Sequence, residues 1–245
     1  MQHNTHNIHF ITYANHRYEK SRQRIIDQAK NFGVFKTITG FTPNDLSNEF
    51  KNKFKDILCL PRGGGYWIWK YDIIMSKFNE INEGDYIVYA DAGCTINKNG
   101  IDRFFEYIDM INKSPYGILS FQMGELYDKF YTVKEIFEYF DIKQNHIVRN
   151  SGQIMATILI IKKNDHSRSV FDKYYELLCD NVNLITDLYN VVNQWDYFRD
   201  NRHDQSILSV IRKIYGSVVI PDETYFDNFG CDEAQKVPIL ATRLL

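Results

Sequence analysis

Short apolar runs alternate along the chain with longer stretches whose apolar residues recur at helical spacing. That alternation predicts an α/β fold built on a mainly parallel sheet. Residues 8–13 read as a strand, and 18–32 as a polar-faced helix that closes near Gly33. Residues 35–41 alternate weakly and predict a second strand. Asn44 stands where it would cap a short helix through Phe50 and Phe54, and 57–60 predicts a third strand. A glycine-rich turn then opens a helix whose buried face carries Trp69, Ile73, Ile74, Phe78 and Ile81. Residues 86–90 predict a strand buried on both faces, and Ile101, Phe104, Phe105, Ile108 and Ile111 mark the next helical stripe. A strand over 117–121 precedes a mixed aromatic region with a helix at 132–140. The longest apolar run, 154–161, predicts a single core strand. Helices over 167–179 and 204–214, a last strand at 218–220 and an irregular tail from Pro221 complete the reading. No repeat or linker divides residues 1–245, so one domain is expected.

Composition changes this picture little. A length of 245 residues fits one domain, and 44% hydrophobic residues suffice for a packed core. The net charge of −2 lacks the basic excess of a nucleic-acid binder. Residues 1–7 are polar and lack the basic start and apolar core of a signal peptide. No stretch approaches the ~20 apolar residues of a membrane span. Cys59, Cys94, Cys179 and Cys231 form no C-x-x-C pair and read as reduced thiols of a cytoplasmic protein. The histidines, including His3, His6 and His9 at the start, show no metal-ligand spacing.

Three segments carry candidate chemistry. Gly84-Asp85-Tyr86-Ile87-Val88-Tyr89-Ala90-Asp91-Ala92-Gly93-Cys94 places an isolated acid directly after a buried strand, where ligands of open α/β sheets collect. Ala92 and Gly93 leave room for a close-lying backbone or diphosphate. Asp91 fits a metal–diphosphate site, and it fits a helix cap equally. Gly63-Gly64-Gly65 is followed by no G-K-[ST] and lacks the third glycine of G-x-G-x-x-G. It still predicts phosphate binding at a helix N-terminus, with Arg62 and Lys70 as flanking cations. The other reading is a tight turn with Trp67 and Trp69 in the core. In Asn201-Arg202-His203-Asp204-Gln205-Ser206, Asp204 and Ser206 are natural caps, while Arg202 and His203 exceed what capping requires.

Together these segments resemble the nucleotide-sugar-dependent glycosyltransferases of GT-A fold, among them the small capsular-polysaccharide and giant-virus types. Gly63-Gly64-Gly65-Tyr66-Trp67-Ile68-Trp69-Lys70 resembles their G-x-G-Y-W-x-W-K stretch. The segment 84–94 resembles their G-D-hydrophobic-D-A-G-C strand end, and 202–209 their late H-D-Q-S helix start. The resemblance implies an α/β/α sandwich with a nucleotide-binding N-terminal half and an acceptor side in the C-terminal half. It places Thr12, Tyr13 and Ala14 beside base and ribose. Asp91 matches the first acid of the D-x-D motif that holds a divalent Mn²⁺ or Mg²⁺ with the diphosphate. The third position is Gly93, which leaves one carboxylate and a weak site completed by diphosphate oxygens and water. Arg62 and Lys70 would share the charge, with Gly65, Trp67, Ala92 and Gly93 also on the donor side. Gln153, Arg202 and His203 would face the acceptor.

The expected reaction is sugar transfer from a nucleotide-diphosphate sugar to a hydroxyl of a glycan or similar acceptor, in polysaccharide biosynthesis. Asp204 is the expected base, with Asp196 and Asp200 next in order. A nucleotidyltransferase would want a glycine-rich loop after the first strand, where Tyr13-Ala14-Asn15-His16-Arg17 stands instead. A non-catalytic carbohydrate-binding module remains an alternative, supported by Gly93 and by 17 Tyr, 17 Phe and 3 Trp available for stacking.

Overall fold

A computed structural model describes residues 7–244 of the chain. His3 and His6 lie outside the described residues. In chain order the strands are β1 (Ile8–Tyr13), β2 (Thr37–Phe41), β3 (Tyr86–Ala90), β4 (Thr95–Ile96), β5 (Ile118–Tyr127), β6 (Gly152–Ile154), β7 (Ile158–Lys162), β8 (Val218–Pro221) and β9 (Ile239–Leu240). Seven of them form one mixed sheet in the order β2-β1-β3-β7-β5-β6, with β8 also paired to β5. β1 is parallel to β2 and β3, and β8 is parallel to β5. β7 runs antiparallel to both β3 and β5, and β6 antiparallel to β5. Five strands of the sheet therefore share one direction, so it is mainly parallel in sense though mixed in its pairings.

Every residue of β1 and β3 is buried, which is why they read as continuous apolar runs rather than as alternating ones. Successive side chains nonetheless go to opposite faces. Ile11 and Tyr89 join a core with Ile73, Phe78, Tyr174 and Ile211 on one side of the sheet. Phe10 and Val88 join Ile25, Phe32, Phe104 and Phe121 on the other. Two apolar cores separated by one sheet make the three-layer α/β/α sandwich. The helix Glu19–Phe32 buries Ser21, Ile25, Ala29 and Phe32, a single stripe, and Gly33 ends it in the left-handed conformation at φ +82°.

The structure corrects several local readings. Residues 57–60 form no strand: Lys55–Leu58 is a helical turn following the helix Asn48–Lys53. Ser47, not Asn44, caps that helix, its hydroxyl accepting from Phe50 N at 3.2 Å. Asn44 lies within the Pro43–Asp45 3-10 turn. Four apolar-rich residues carry too little periodicity to tell a helical turn from a strand. The run 154–161 is broken, with β6 ending at Ile154 and β7 starting at Ile158. Met155 and Ala156 stay buried while the chain crosses from one edge of β5 to the other, so composition hides the break. The tail beyond Pro221 is not wholly irregular either. β9 pairs with β4 and carries residues 241–244 across the end of β3.

Among the described residues no helix is long and apolar enough to cross a membrane. The four cysteines are free thiols.

Candidate active site

The glycine-rich segment folds in an unanticipated way. Gly63, Gly64, Gly65, Tyr66 and Trp67 all have positive φ, at 58°, 61°, 96°, 53° and 59°. Five consecutive residues thus make one left-handed turn, closed by Tyr66 N donating to Arg62 O at 2.7 Å. Such a turn costs an ordinary residue about 1–2 kcal/mol at each position, which explains three glycines in a row. Gly65 is also fixed by space, since a Cβ there would lie 2.8 Å from Leu58 Cα. Gly65→Ala is therefore expected to destabilise the protein by about 1–3 kcal/mol in urea unfolding. A neutral result would mean that the turn relaxes into an ordinary helix.

Most of the backbone N–H groups of the turn are spent within it. The N–H groups of Gly64, Gly65, Tyr66, Trp67, Ile68, Lys70 and Tyr71 already donate to nearby carbonyls. Its work is to set out side chains. Trp69 donates Nε1–H to Gly63 O at 2.9 Å and stacks on Tyr13 with ring centroids 3.7 Å apart. Trp67 stacks on His203 at 5.5 Å. Arg62 and Tyr66 both reach Asp187 at 2.9 Å, which ties the segment 187–200 to the turn.

Two clefts open above the C-terminal ends of β1 and β3. The first, of about 290 Å³, is walled by Tyr13, Ala14, Asn15, Gly63, Gly64 and Trp69, with Ala92 and Gly93 at its side. The second, of about 390 Å³, is lined by Arg62, Lys70, Arg202, His203, Asp204, Gln205 and Arg243, with Ala156, Thr157 and Asp200. Trp67 and Asp91 line both. The aromatic cleft and the charged cleft meet at one carboxylate.

At that junction Lys70 is 2% exposed. Its ammonium donates to Asp204 Oδ2 at 2.5 Å and Ala156 O at 2.8 Å, and lies 3.8 Å from Asp91 Oδ1. The Tyr89 hydroxyl donates to Asp91 Oδ1. Desolvation raises the pKa of Asp91, opposed by Lys70 and the Tyr89 hydroxyl and reinforced by the Asp204 charge. Its side chain keeps 32% exposure, so the carboxylate is both perturbed and reachable. The break between β6 and β7 supplies backbone partners here. Ala156 O takes Lys70, Ala156 N donates to Gln205 Oε1 at 3.3 Å, and Thr157 O accepts from Asp91 N at 2.9 Å.

Neither carboxylate is a helix cap. β4 follows Asp91, and among the described residues no backbone N–H donates to its side chain. Asp204 is the first residue of the helix Asp204–Tyr215, and its carboxylate turns to Lys70. The residue before it, His203, has φ +59° and ψ −124°. Its Nδ1 donates to Ile185 O at 2.8 Å, and Nε2 is buried without a partner. Burial lowers the His203 pKa, so the ring is neutral with a lone pair on Nε2.

The structure gathers Tyr13, Ala14, Arg62, Trp67, Lys70, Asp91, Ala92, Gly93, Arg202, His203 and Asp204 around the two clefts. It leaves three expected residues behind the walls. Thr12 is fully buried and donates to Ala90 O at 2.8 Å, clipping β1 to β3. Gly65 packs on Leu58. Gln153 is fully buried and accepts from Gln205 Nε2 at 2.7 Å, so it positions Gln205 rather than facing the cleft. Asp200 lines the second cleft and Asp196 does not. Sequence reasoning missed Gln205, the backbone of Ala156–Thr157 and Arg243. Gln205 stood inside the recognised H-D-Q-S segment; Arg243 gave no signal, because only the β4–β9 pairing brings it here.

The residues present do not fit a protein-held divalent metal. Among the described residues no three His, Cys, Asp or Glu side chains group as ligands. A Cβ at Gly93 would lie 3.2 Å from Leu244 O and 3.3 Å from Arg243 Cα, so any side chain there would press on the crossing tail. Lys70 already occupies the space between Asp91 and Asp204.

No protein-family model matches the chain. No curated protein sequence matches it either. Solved structures do. Mouse xyloside xylosyltransferase 1 superposes with a TM-score of 0.52 at 9% identity, covering 96% of this chain and 97% of that one. The WbbM bifunctional glycosyltransferase superposes with a TM-score of 0.52 at 10% identity, covering 96% of this chain and 45% of that one. Likeness at such identity speaks to architecture, and the architecture of this chain is a GT-A-like glycosyltransferase fold.

Proposed function

We propose that the protein transfers a glycosyl group from a nucleotide-diphosphate sugar to a hydroxyl of a glycan or similar acceptor. One observation carries the reading: an aromatic cleft and a cationic cleft meet at Asp91 above the strand ends. Ligands of open α/β sheets bind at that edge. The Tyr13–Trp69 stack, Trp67 and Ala14 suit a base and ribose, leaving the diphosphate to span the junction. Asp204 then lies where the sugar hydroxyls would be held.

Transfer breaks the bond from the anomeric carbon to the diphosphate oxygen and forms one to the acceptor oxygen, whose proton must leave. Stabilising the departing diphosphate and removing that proton are the two tasks of the site. Asp204 was the expected base. Its Oδ2 is committed to Lys70, and the helix N-terminus further stabilises its anion. We assign it the anchoring of sugar hydroxyls instead. Asp91, with a raised pKa and an exposed edge at the junction, is assigned the proton.

The test is a thermal-shift screen against UDP-, GDP-, CDP- and dTDP-sugars, followed by assay of nucleoside diphosphate release. A ligand at a hundred times its Kd adds about 2.7 kcal/mol, or roughly 5–10 °C for a chain of this size. A protein that no member of the panel stabilises, and that releases no nucleoside diphosphate, is not a glycosyltransferase of this kind.

A further inference from the structure

We infer that this chain neutralises the donor diphosphate with its own side-chain cations, Arg202 and Arg243 with Lys70 beneath them, in place of a carboxylate-held divalent metal. The inference rests on the glycosyl-transfer reading and concerns how that site handles charge. It starts from the position two residues after Asp91. That position is glycine, and the C-terminal tail packs on it, held by Leu244 N donating to Gly93 O at 2.9 Å and by the Thr242 hydroxyl donating to the same oxygen at 2.9 Å, so that a Cβ there would lie 3.2 Å from Leu244 O.

What the tail brings is a cation. Arg243 lines the charged cleft and acts electrostatically on Asp91. Arg202 lines the same cleft with its guanidinium 4.0 Å from the centre of the Tyr131 ring, a contact that positions it there. Among the described residues no carboxylate lies in ion-pair distance of Arg202 or Arg243, whereas Arg62 is held by Asp187 and Asp200. Two unpaired guanidinium groups in a cleft that also contains Asp91 form a planar, multidentate receptor for phosphate oxygens.

Lys70 completes the arrangement. Its ammonium stands between Asp91 and Asp204, and it is held by three partners in a buried place. A divalent ion there would face that fixed positive charge with one carboxylate already engaged. The ammonium offsets the charge of Asp91 and Asp204, which leaves Arg202 and Arg243 to meet the diphosphate.

The experiment is calorimetric titration of the full chain with UDP, GDP, CDP and dTDP, in excess EDTA and again in Mn²⁺ or Mg²⁺. The expected result is that the nucleotide that binds does so with Kd values within about threefold in the two conditions. Arg202→Ala and Arg243→Ala should each weaken it by about tenfold to a hundredfold in EDTA. Arg243 lies in an exposed tail, so its variant should keep the parent unfolding midpoint. Binding that appears only with metal, or tightens more than tenfold, overturns the inference and leaves glycosyl transfer standing. Unchanged affinity in both arginine variants also overturns it. Failure of every nucleotide in both conditions removes the glycosyl-transfer reading, and the inference with it.

Discussion

Asp91→Asn is expected to lower turnover by about 10²–10⁴-fold, the usual contribution of a positioned proton acceptor, while leaving nucleoside diphosphate binding within a few-fold of the parent. The substitution preserves shape. The Tyr89 hydroxyl keeps an oxygen to donate to, and Thr157 O keeps the backbone N–H of residue 91. What disappears is the ability to take a proton. The pH dependence gives an independent sign. A base works in its ionised form, and burial raises the pKa of Asp91. Activity of the parent should therefore decline as pH falls through that raised pKa, an acid limb lying above the ordinary carboxylate range. Residual activity of the Asn variant should lack that limb. Steady-state rates across pH on both proteins check both points. A variant that keeps its turnover would show that the proton leaves by another group, and Asp204 and Asp200 are the other carboxylates lining the charged cleft.

The N-terminal half of this site was legible because its signals are local. A run such as Tyr86–Ala90 is a buried strand on its own composition, and an acid directly after it is placed by the chain. The three glycines announced a special backbone, though not its hand. Sequence shows that left-handed φ is permitted there, while the left-handed turn is chosen by the packing of Gly65 on Leu58 and the Trp69 bond to Gly63. The features that decide the electrostatics were not legible. Lys70 read as a flanking cation of a phosphate loop, and only the fold shows it buried against Asp204, 134 positions away in the chain. Arg243 owes its place to two short strands of two residues each, which no periodicity can reveal. The apolar run 154–161 concealed a crossing because its backbone, not its side chains, serves the site. Thr12 and Gln153 were misplaced for the converse reason. Each is a polar residue near the site whose groups are spent inside the wall, where a buried hydroxyl or amide must find partners.

The largest stability effect is expected from Lys70→Met, which keeps the length and apolar stem of the side chain and deletes its charge. Lys70 is 2% exposed, and its partner Asp204 only slightly more. Removing one member of a buried ion pair leaves the other as an uncompensated charge, at a cost of about 3–5 kcal/mol. For a chain of this length that corresponds to a fall in Tm of roughly 6–20 °C. Ala156 O also loses its donor, which adds to the penalty. A double-variant cycle distinguishes lost charge pairing from lost packing. The double variant Lys70→Met with Asp204→Asn buries no charge at this point and should recover most of the loss, giving a coupling energy well outside the additive range. Thermal unfolding of the parent, the two single variants and the double variant supplies the full cycle. If Lys70→Met unfolds within about 1 kcal/mol of the parent, below what breaking a buried pair costs, water reaches the pair in solution and the ammonium is not the fixed internal cation on which the charge balance of this site depends.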